Sequence, residues 1–405
     1  MFNSPRLRIF CLSALVVLCS GTAIYAQHEA SGGSTKGMMG GGTVGGSTGR
    51  PANKPVSKPK PPVRKPPATT TTTTPVRKPT TTTTTRTADA TPLVAQGDQL
   101  YAAKNYQEAL VAYQKAIAIN PNLANAQYRI GWIQNDLEEY DEAIPPLQAA
   151  AKLQPSALTY YELGYSYKKL NRYPEALVAF KEAIRIKPDH AASHHDIGWI
   201  YNDQKNYEDA IVSLRQAIRF NPNYADAHNE MGYSLRNLGR YSEAIEQYQE
   251  AIRIDPGLGL AHLGLGDVYY YNTKQYAEAI KAYKEGLRLQ PNNATAFYNL
   301  AWCYNDTDRY AEAAQALREA IRLKNDYPEA HNELGYSLHQ LRRYAEAVQS
   351  YQAAIRQKPD YASAYYNLGI TYKALGNRTG AMDQYRALQK IDNARAQKLL
   401  NQINN

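Results

Sequence analysis

Every tryptophan of the chain stands in a seven-residue stretch that recurs with little change. The stretches are GWIQNDL at 131–137, GWIYNDQ at 198–204 and AWCYNDT at 301–307, and each places Asn-Asp three and four residues after the tryptophan. On a helix, residues three and four apart share one face. An indole beside an amide and a carboxylate suits noncovalent binding, because the ring offers contact area and the polar groups form hydrogen bonds. The three stretches therefore indicate a recurring binding surface.

Histidine is the other residue type whose spacing could indicate a metal or catalytic site. His194, His228, His262 and His331 stand in four different copies of an internal repeat, too far apart to meet at one ion. His190 and His194 have the i, i+4 spacing of a zinc site, but no third ligand or HExxH pattern accompanies them. The sequence also contains no nucleophile elbow, P-loop or dinucleotide-binding fingerprint. We therefore expect no metal site, no cofactor and no enzymatic activity.

The internal repeat runs from residue 89 to residue 395 with a period of 33 to 35 residues. Its most regular mark is an alanine, found at Ala109, Ala143, Ala176, Ala210, Ala244, Ala279, Ala313, Ala347 and Ala381. A glycine stands about twelve residues earlier in eight repeats, and a proline stands twelve residues later in seven. Small residues let two helices approach closely, and proline fits the beginning of a helix but not its interior. With apolar residues at helical spacing between these marks, each repeat is predicted to be two antiparallel helices.

This pattern of glycine, alanine, aromatic and proline positions resembles the tetratricopeptide repeat (TPR). The resemblance covers nine repeats over residues 89–395, and the segment AQKLLNQINN at 396–405 is expected to form a capping helix. It implies an all-α fold, an α-solenoid in which antiparallel helix pairs form a right-handed superhelix and the first helices line a concave groove. One version of this family clamps a terminal carboxylate with a groove lysine. That clamp is absent, because no lysine stands three positions before the repeat glycine.

One repeat departs from the pattern inside a helix. Pro145 and Pro146 fall within the second helix of repeat 2. Each proline removes a backbone hydrogen bond, so we expect a break or kink at this point.

The residue after the repeat glycine is expected to face the groove, because the glycine itself faces the partner helix. In repeats 2 to 9, counting Ala301 at the glycine position of repeat 7, six of the eight such residues are large aromatics. With the Asn-Asp pairs they give the predicted groove residues Trp132, Asn135, Asp136, Tyr165, Trp199, Asn202, Asp203, Tyr233, Trp302, Asn305, Asp306 and Tyr336. These residues bind a partner in one interpretation. In the other, the aromatics cover neighbouring side chains and the polar pairs only solvate the surface.

Two types of repeat follow one another in a recurring order along the chain. A repeat with the Trp-x-x-Asn-Asp pattern precedes a repeat with Gly-Tyr-Ser in repeats 2–3, 4–5 and 7–8. Duplication of a pair of repeats explains this order, and so does a ligand with a matching period. The sequence leaves both explanations open.

A second set of tyrosines stands three residues before the repeat alanine in eight repeats. By helical spacing these residues pack where the second helix begins, with the hydroxyl reaching water. We interpret them as structural.

The basic charge of the chain lies in its N-terminal region. Residues 1–88 contain twelve of the 46 Lys and Arg residues but one of the 37 acidic residues, so residues 89–405 have a net charge of −2. The repeats therefore lack the positive charge that is typical of nucleic-acid binding, and no nucleic-acid partner is expected.

Residues 1–26 resemble a secretory signal, because Arg6 and Arg8 precede an apolar run that ends in small residues. Cleavage is the preferred interpretation, and an uncleaved membrane anchor is the alternative. Residues 27–88 are rich in Gly, Pro, Lys and Thr and are predicted to be a disordered linker. This linker acts as a spacer or attracts an anionic envelope polymer. Cys303 is the only cysteine after the signal, so no internal disulfide is expected.

These observations predict an exported, non-enzymatic scaffold that binds an extended peptide or protein segment in its groove. Tyrosine and tryptophan would supply contact area, while the Asn and Asp side chains would hydrogen-bond a peptide backbone. The alternative is binding of a carbohydrate or cell-envelope polymer, because aromatic rings and Asn-Asp pairs also suit sugar rings. The sequence does not name the partner.

Overall fold

A computed structural model of the chain describes residues 89–405, in which all regular structure is helical. The predicted signal segment 1–26 and linker 27–88 lie outside the described residues. Nine helix pairs follow one another, and a single further helix comes after them. Within residues 89–405 there is no strand, and no helix is long and apolar enough to cross a membrane. The predicted all-α fold of antiparallel helix pairs is confirmed.

Each repeat contributes a first and a second helix joined by a short turn. The first helices are Thr91–Ala102, Ala124–Asp136, Ala157–Lys169, Ala191–Asp203, Ala225–Asn237, Gly259–Asp267, Ala294–Asp306, Pro328–Gln340 and Ala362–Ala374. The second helices are Tyr106–Ile119, Tyr140–Leu153, Tyr173–Ile186, Tyr207–Phe220, Tyr241–Ile254, Tyr276–Leu289, Tyr310–Leu323, Tyr344–Gln357 and Arg378–Gln389. The final helix is Asn393–Asn404.

The described residues divide into two compact units. The first unit, residues 89–154, contains repeats 1 and 2. The second unit, residues 155–405, contains repeats 3 to 9 and the final helix. Within each unit a second helix packs against the first helix of its own repeat and against the first helix of the next repeat. Each unit is therefore an α-solenoid.

Two small residues hold the helices of each repeat together. The nine repeat alanines are fully buried, with 0% exposure. The repeat glycine lies so close to the second helix that a Cβ at Gly164 would be 2.7 Å from Phe180, and one at Gly335 would be 2.6 Å from Tyr351. Repeat 7 has Ala301 in place of the glycine, opposite Leu317, where repeats 3 and 8 have Phe180 and Tyr351. Repeats 2 and 4 keep the glycine, opposite Leu147 and Leu214. A Cβ on the first helix thus occurs opposite an aliphatic partner.

The second helix of repeat 2 runs without a break through Pro145 and Pro146, contrary to the expected interruption. It extends from Tyr140 to Leu153 and has 14 residues. The carbonyls that lose their N–H donors belong to Asp141 and Glu142, which are both exposed, so water can replace the lost bonds. Burial of the helix's other side holds it in place.

Repeat 6 absorbs an extra residue in its first helix. The spacing between the repeat alanines is 35 residues here rather than 34. The α-helix Gly259–Asp267 continues into a π-helical turn at Val268–Asn272, which accommodates the insertion. Such single π-turns are frequent at functional sites.

The final helix closes the second unit, and it begins at Asn393 rather than at residue 396. Leu399 is fully buried, and it takes the place that a second-helix side chain occupies opposite the other glycines, because a Cβ at Gly369 would lie 2.6 Å from it. Arg378 donates from Nη1 to the carbonyl of Ile403 at 3.0 Å, near the negative end of the helix dipole.

The glycine contact generates a stability prediction. Gly335→Ala should lower the free energy of unfolding by about 1–3 kcal/mol, because the new methyl group meets the Tyr351 ring. Urea denaturation followed by circular dichroism measures the change. Adding Tyr351→Leu should restore part of the loss, since the pair then matches Ala301 and Leu317 of repeat 7. Equal midpoints for the wild type and Gly335→Ala would contradict the prediction.

Candidate functional site

Six large aromatic side chains lie half-buried on the first helices, one residue after the repeat glycine position. They are Trp132, Trp199, Trp302, Tyr165, Tyr233 and Tyr336, and we call them the aromatic face. Trp132 belongs to the unit 89–154, and the other five belong to the unit 155–405. The neighbouring glycine side of each helix packs against the second helix, so these rings turn away from that contact.

Tyrosines that the sequence analysis assigned to packing alone also contact the aromatic face. The first tyrosine of a second helix stands edge-on to the aromatic side chain of the next repeat. The ring-centroid distances are 5.7 Å for Tyr106–Trp132, 6.3 Å for Tyr173–Trp199, 6.1 Å for Tyr207–Tyr233 and 6.2 Å for Tyr310–Tyr336. Edge-to-face pairs of this kind stabilise beyond their area of contact. The available signal was the choice of tyrosine over phenylalanine at this position in eight repeats.

The asparagines of the Trp-x-x-Asn-Asp pattern hold neighbouring first helices together. Asn202 is 4% exposed; its Nδ2 donates to the carbonyl of Glu230 at 3.1 Å and to Oε2 of that residue at 2.9 Å. Its Oδ1 accepts from the Ser234 hydroxyl at 2.6 Å. Asn305 repeats the arrangement, with its Oδ1 accepting from Ser337 at 2.8 Å. The sequence predicted that these amides face a ligand, whereas the structure uses them within the fold.

These bonds explain the order of the repeats in the second unit. An asparagine from a Trp-x-x-Asn-Asp helix meets the serine of the following Gly-Tyr-Ser helix, in repeats 4–5 and again in repeats 7–8. A helix of one type therefore has a complementary neighbour of the other type. Asn135, in the first unit, is also buried, with 6% exposure.

The aspartates that follow the asparagines are placed differently. Asp136, Asp203 and Asp306 are all exposed. Asp306 Oδ2 accepts from the Tyr270 hydroxyl at 2.9 Å, which orients the carboxylate. Burial, together with a hydrogen bond to Asp203, raises the pKa of Tyr173 to about 12. Among the described residues no lysine, arginine or histidine forms an ion pair with these three aspartates.

A buried ion pair lies beside Trp199. Lys168 Nζ is 2.7 Å from Asp196 Oδ1, and the two side chains are 6% and 5% exposed. The same ammonium lies 4.8 Å from the centroid of the Trp199 ring. Burial opposes ionisation of Asp196, but Lys168 and His195 hold its pKa well below the usual range. Trp199 thus contacts a cation that the fold itself supplies.

Repeat 6 replaces the aromatic residue by Asp267. Its Oδ2 accepts from Arg236 Nη1 at 2.6 Å, and its Oδ1 accepts from the Tyr283 hydroxyl at 2.6 Å and from Asn299 Nδ2 at 3.2 Å. The carboxylate is therefore saturated by partners from three helices. Arg236 is engaged in the same way as Lys168, so the charges of these two side chains are neutralised within the fold.

The recurring histidines fasten the turns between repeats. A ring nitrogen lies within hydrogen-bond distance of the repeat proline carbonyl, at 3.0 Å for His194, 3.2 Å for His228 and 3.3 Å for His262. His190 Nδ1 accepts from the Ser193 amide at the start of the first helix of repeat 4. In the part of the chain that the structure describes, no three His, Cys, Asp or Glu side chains are grouped to hold a metal ion.

Glu333 is a buried carboxylate whose partner is a neutral amide. It is 7% exposed, and its Oε1 accepts from Asn332 Nδ2 at 3.0 Å. Burial and, to a lesser extent, the nearby Asp306 raise the pKa of Glu333, and the Asn332 hydrogen bond lowers it, so that the pKa is about 7.

Sequence models of one repeat family match most of the folded chain. One, described as TPR repeat, matches residues 97–136, 198–239, 232–272 and 335–376. Three others, described as tetratricopeptide repeat, match residues 263–328, residues 157–190, and residues 124–156 with 362–395. Together they cover residues 97–395 apart from 191–197 and 329–334.

The curated relatives share part of their length with this chain. Small glutamine-rich tetratricopeptide repeat-containing protein 2 of Mycosarcoma maydis is 31% identical over 104 residues, which are 25% of this chain and 30% of that protein. The protein of the same name from Saccharomyces cerevisiae is 31% identical over 105 residues, 26% and 30% of the two chains. The chain thus spans less than a third of these relatives.

Solved structures that match part of the chain include YrrB and PilF. YrrB, described as a TPR protein with an unusual peptide-binding site, is 26% identical with a TM-score of 0.43, over 46% of this chain and 96% of that chain. PilF of Pseudomonas aeruginosa is 24% identical with a TM-score of 0.45, over 52% of this chain and 97% of that chain.

The asparagine bonds generate a second stability prediction. Asn202→Ala should lower the free energy of unfolding by about 1–3 kcal/mol, because Ser234 and Glu230 lose a buried partner. Asp203→Asn, one residue away and exposed, should change it by less than about 0.5 kcal/mol. Urea denaturation compares the two variants. Similar losses for both would show that Asn202 is not the residue that joins the helices.

Glu333 generates a pH prediction. The folded state keeps a proton that the unfolded chain releases between pH 4.5 and about 7, so stability should fall across this range and level off above it. Glu333→Gln should remove this slope and raise the free energy of unfolding at pH 8 by about 1–3 kcal/mol. Urea midpoints from pH 4 to pH 8 measure it, with the exposed Glu278→Gln as the charge control. Parallel pH profiles for wild type and Glu333→Gln would refute the assignment.

Proposed function

Because the chain belongs to the tetratricopeptide-repeat family, we propose that it is an exported, non-enzymatic scaffold whose aromatic face binds an extended segment of a partner protein. The family and its repeat-protein relatives support a role in protein–protein interaction. The choice of the first helices as the binding surface, and export itself, are our proposals.

The aromatic face is the observation that carries this proposal. Half-buried tryptophan and tyrosine rings follow one another along the first helices, several with a second tyrosine edge-on. Side chains of this kind are enriched at the energetically dominant positions of interfaces, because they offer a large, rigid contact area. A row of such rings on the first helices of the unit 155–405 suits an extended ligand that passes from repeat to repeat.

The polar groups beside the rings define the ligand's chemistry. The asparagine amides are engaged within the fold, and Lys168 and Arg236 are neutralised by Asp196 and Asp267. The carboxylates of Asp203 and Asp306 remain exposed, and they can accept hydrogen bonds from peptide N–H groups or from cationic side chains. We therefore expect a peptide with apolar and basic residues rather than an acidic one.

Carbohydrate binding is the second candidate, since half-buried indole rings with one accessible face also stack on sugars. Recognition of sugar hydroxyls needs both donors and acceptors, and the buried asparagines supply few donors here. The arrangement therefore favours a peptide. Binding of an anionic envelope polymer would depend on residues 27–88, which lie outside the described residues.

Selection of peptides from a random library on the full chain tests the proposal. Trp199→Ala with Trp302→Ala should weaken the selected peptides at least tenfold, because two anchoring rings are lost. The matched control is Val178→Ala with Val212→Ala, which removes apolar side chains that are 65% and 60% exposed on second helices. Affinity is measured by fluorescence anisotropy and helicity by circular dichroism. Equal effects of the two double variants would refute binding at the aromatic face.

A further inference from the structure

We propose that the chain carries a ligand for its own aromatic face: the Pro-Val-x-Lys-Pro segments at residues 55–59, 62–66 and 75–79. The inference rests on the proposed function, because it assigns an occupant to the same surface. It adds a regulatory consequence, since a partner peptide would have to displace these segments.

The candidate ligand is a short motif that occurs three times. The segments are PVSKP at 55–59, PVRKP at 62–66 and PVRKP at 75–79. Each combines two prolines with a lysine, and two of them add an arginine. Proline-rich peptides bind aromatic surfaces well because little conformational entropy is lost. The lysine adds a charge that an aromatic ring and a carboxylate can hold together.

The receptor side also occurs three times, at the Trp-x-x-Asn-Asp patterns. We call each tryptophan with the aspartate one turn later a Trp–Asp site: Trp132 with Asp136, Trp199 with Asp203, and Trp302 with Asp306. The first belongs to the unit 89–154 and the other two to the unit 155–405. In each site a half-buried indole stands one turn from an exposed carboxylate. This combination fits a proline against the ring and a lysine at the carboxylate.

The site at Trp302 has no cation of its own among the described residues. The described residues place no lysine or arginine over the Trp302 ring, although such contacts occur at other rings of the chain. Asp306 is exposed and oriented by the Tyr270 hydroxyl at 2.9 Å, with no ion-pair partner among the described residues. A lysine ammonium would give Asp306 the charged partner that the fold does not supply.

The site at Trp199 shows that the chemistry works in this protein. There Lys168 Nζ lies 4.8 Å from the ring centroid and 2.7 Å from a carboxylate oxygen of Asp196. An ammonium held by an indole and a carboxylate is the contact that we propose for the motif lysines. Asp203, which is exposed at the end of the same helix, accepts a hydrogen bond from Tyr173 but has no ion-pair partner among the described residues.

Charge complementarity favours this occupant over an unrelated segment. The region before residue 89 carries twelve basic residues and one acidic residue, whereas residues 89–405 carry a net charge of −2. Attachment to the same chain also raises the effective concentration of the motifs near the repeats far above that of a dissolved peptide. Weak individual contacts can then be occupied.

Binding of a labelled synthetic peptide of residues 55–79 tests the inference. The comparison is between the wild-type full chain and a full chain in which Lys58, Arg64, Lys65, Arg77 and Lys78 are replaced by Gln. The peptide should bind the substituted chain at least tenfold more tightly, because the wild-type sites are already occupied. In the substituted chain it should also change tryptophan emission, since all three tryptophans belong to Trp–Asp sites.

A matched pair of variants in the substituted chain locates the contact. Asp203→Asn with Asp306→Asn should weaken the peptide at least fivefold, while Glu208→Gln with Glu278→Gln should leave it unchanged. Both pairs remove two exposed acidic groups, so the net charge changes equally. Equal effects of the two pairs would reveal nonspecific attraction and overturn the inference.

Two further outcomes would also overturn it. One is equal affinity of the peptide for the wild-type and the substituted chain, which would show that the motifs do not occupy the sites. The other is binding of the peptide to vesicles with anionic lipids without any change in tryptophan emission of the chain, which would identify an envelope-binding segment. If library-selected peptides still bind the aromatic face in either case, the proposed function stands and only this inference fails.

Discussion

The close contact between the glycine of a first helix and the large side chain of its second helix governs the rest of the structure. At Gly164 and Gly335 the partner ring lies where a Cβ would be, so the two helices are in van der Waals contact at that point. The contact fixes the rotation of each first helix about its own axis. In the repeats that carry a ring of the aromatic face, the residue after this position is then turned away from the second helix. An aromatic face along successive helices follows from this one constraint, because the contact recurs with the period of the sequence.

Polar pairs between successive first helices form a second level of order. Lys168 meets Asp196, Asn202 meets Ser234, and Asn305 meets Ser337. Each pair is buried and would be costly to leave unmatched, so a repeat of one type tolerates only certain neighbours. The alternation of repeat types in the second unit therefore has a structural cause. It needs no ligand with a matching period.

The sequence predicted those features of the fold that depend on the repeat period. The helix pairs, their approximate bounds and the small residues at their contacts all follow from positions that recur every 34 residues or so. It did not predict which side chains meet across neighbouring repeats, because that depends on the stacking of helices and not on spacing within one helix. Spacing shows that Asn202 lies near the aromatic face, but it does not show that Asn202 is buried against Ser234 of the next repeat. Likewise, spacing predicts that Tyr173 packs at the start of its helix, but not that its partner is Trp199. The sequence also failed to predict the uninterrupted helix through Pro145, because tertiary packing outweighs the local tendency of proline to break a helix.

The same pairing determines which groups are left for a ligand. Lys168, Arg236, Asn202 and Asn305 find partners on the next first helix. Asp203 and Asp306 accept a hydrogen bond from a tyrosine hydroxyl but form no ion pair among the described residues. Asp203 and Asp306 lie at the last residues of their helices, where the partial negative charge of the helix end adds to the carboxylate. A negative group at a helix C-terminus is unfavourable for the helix dipole, although Asp203 and Asp306 each accept a hydrogen bond from a tyrosine hydroxyl within the fold. A cation that approaches this end relieves the unfavourable charge and contacts the indole at once. Binding of a basic segment is therefore the role that best explains this arrangement.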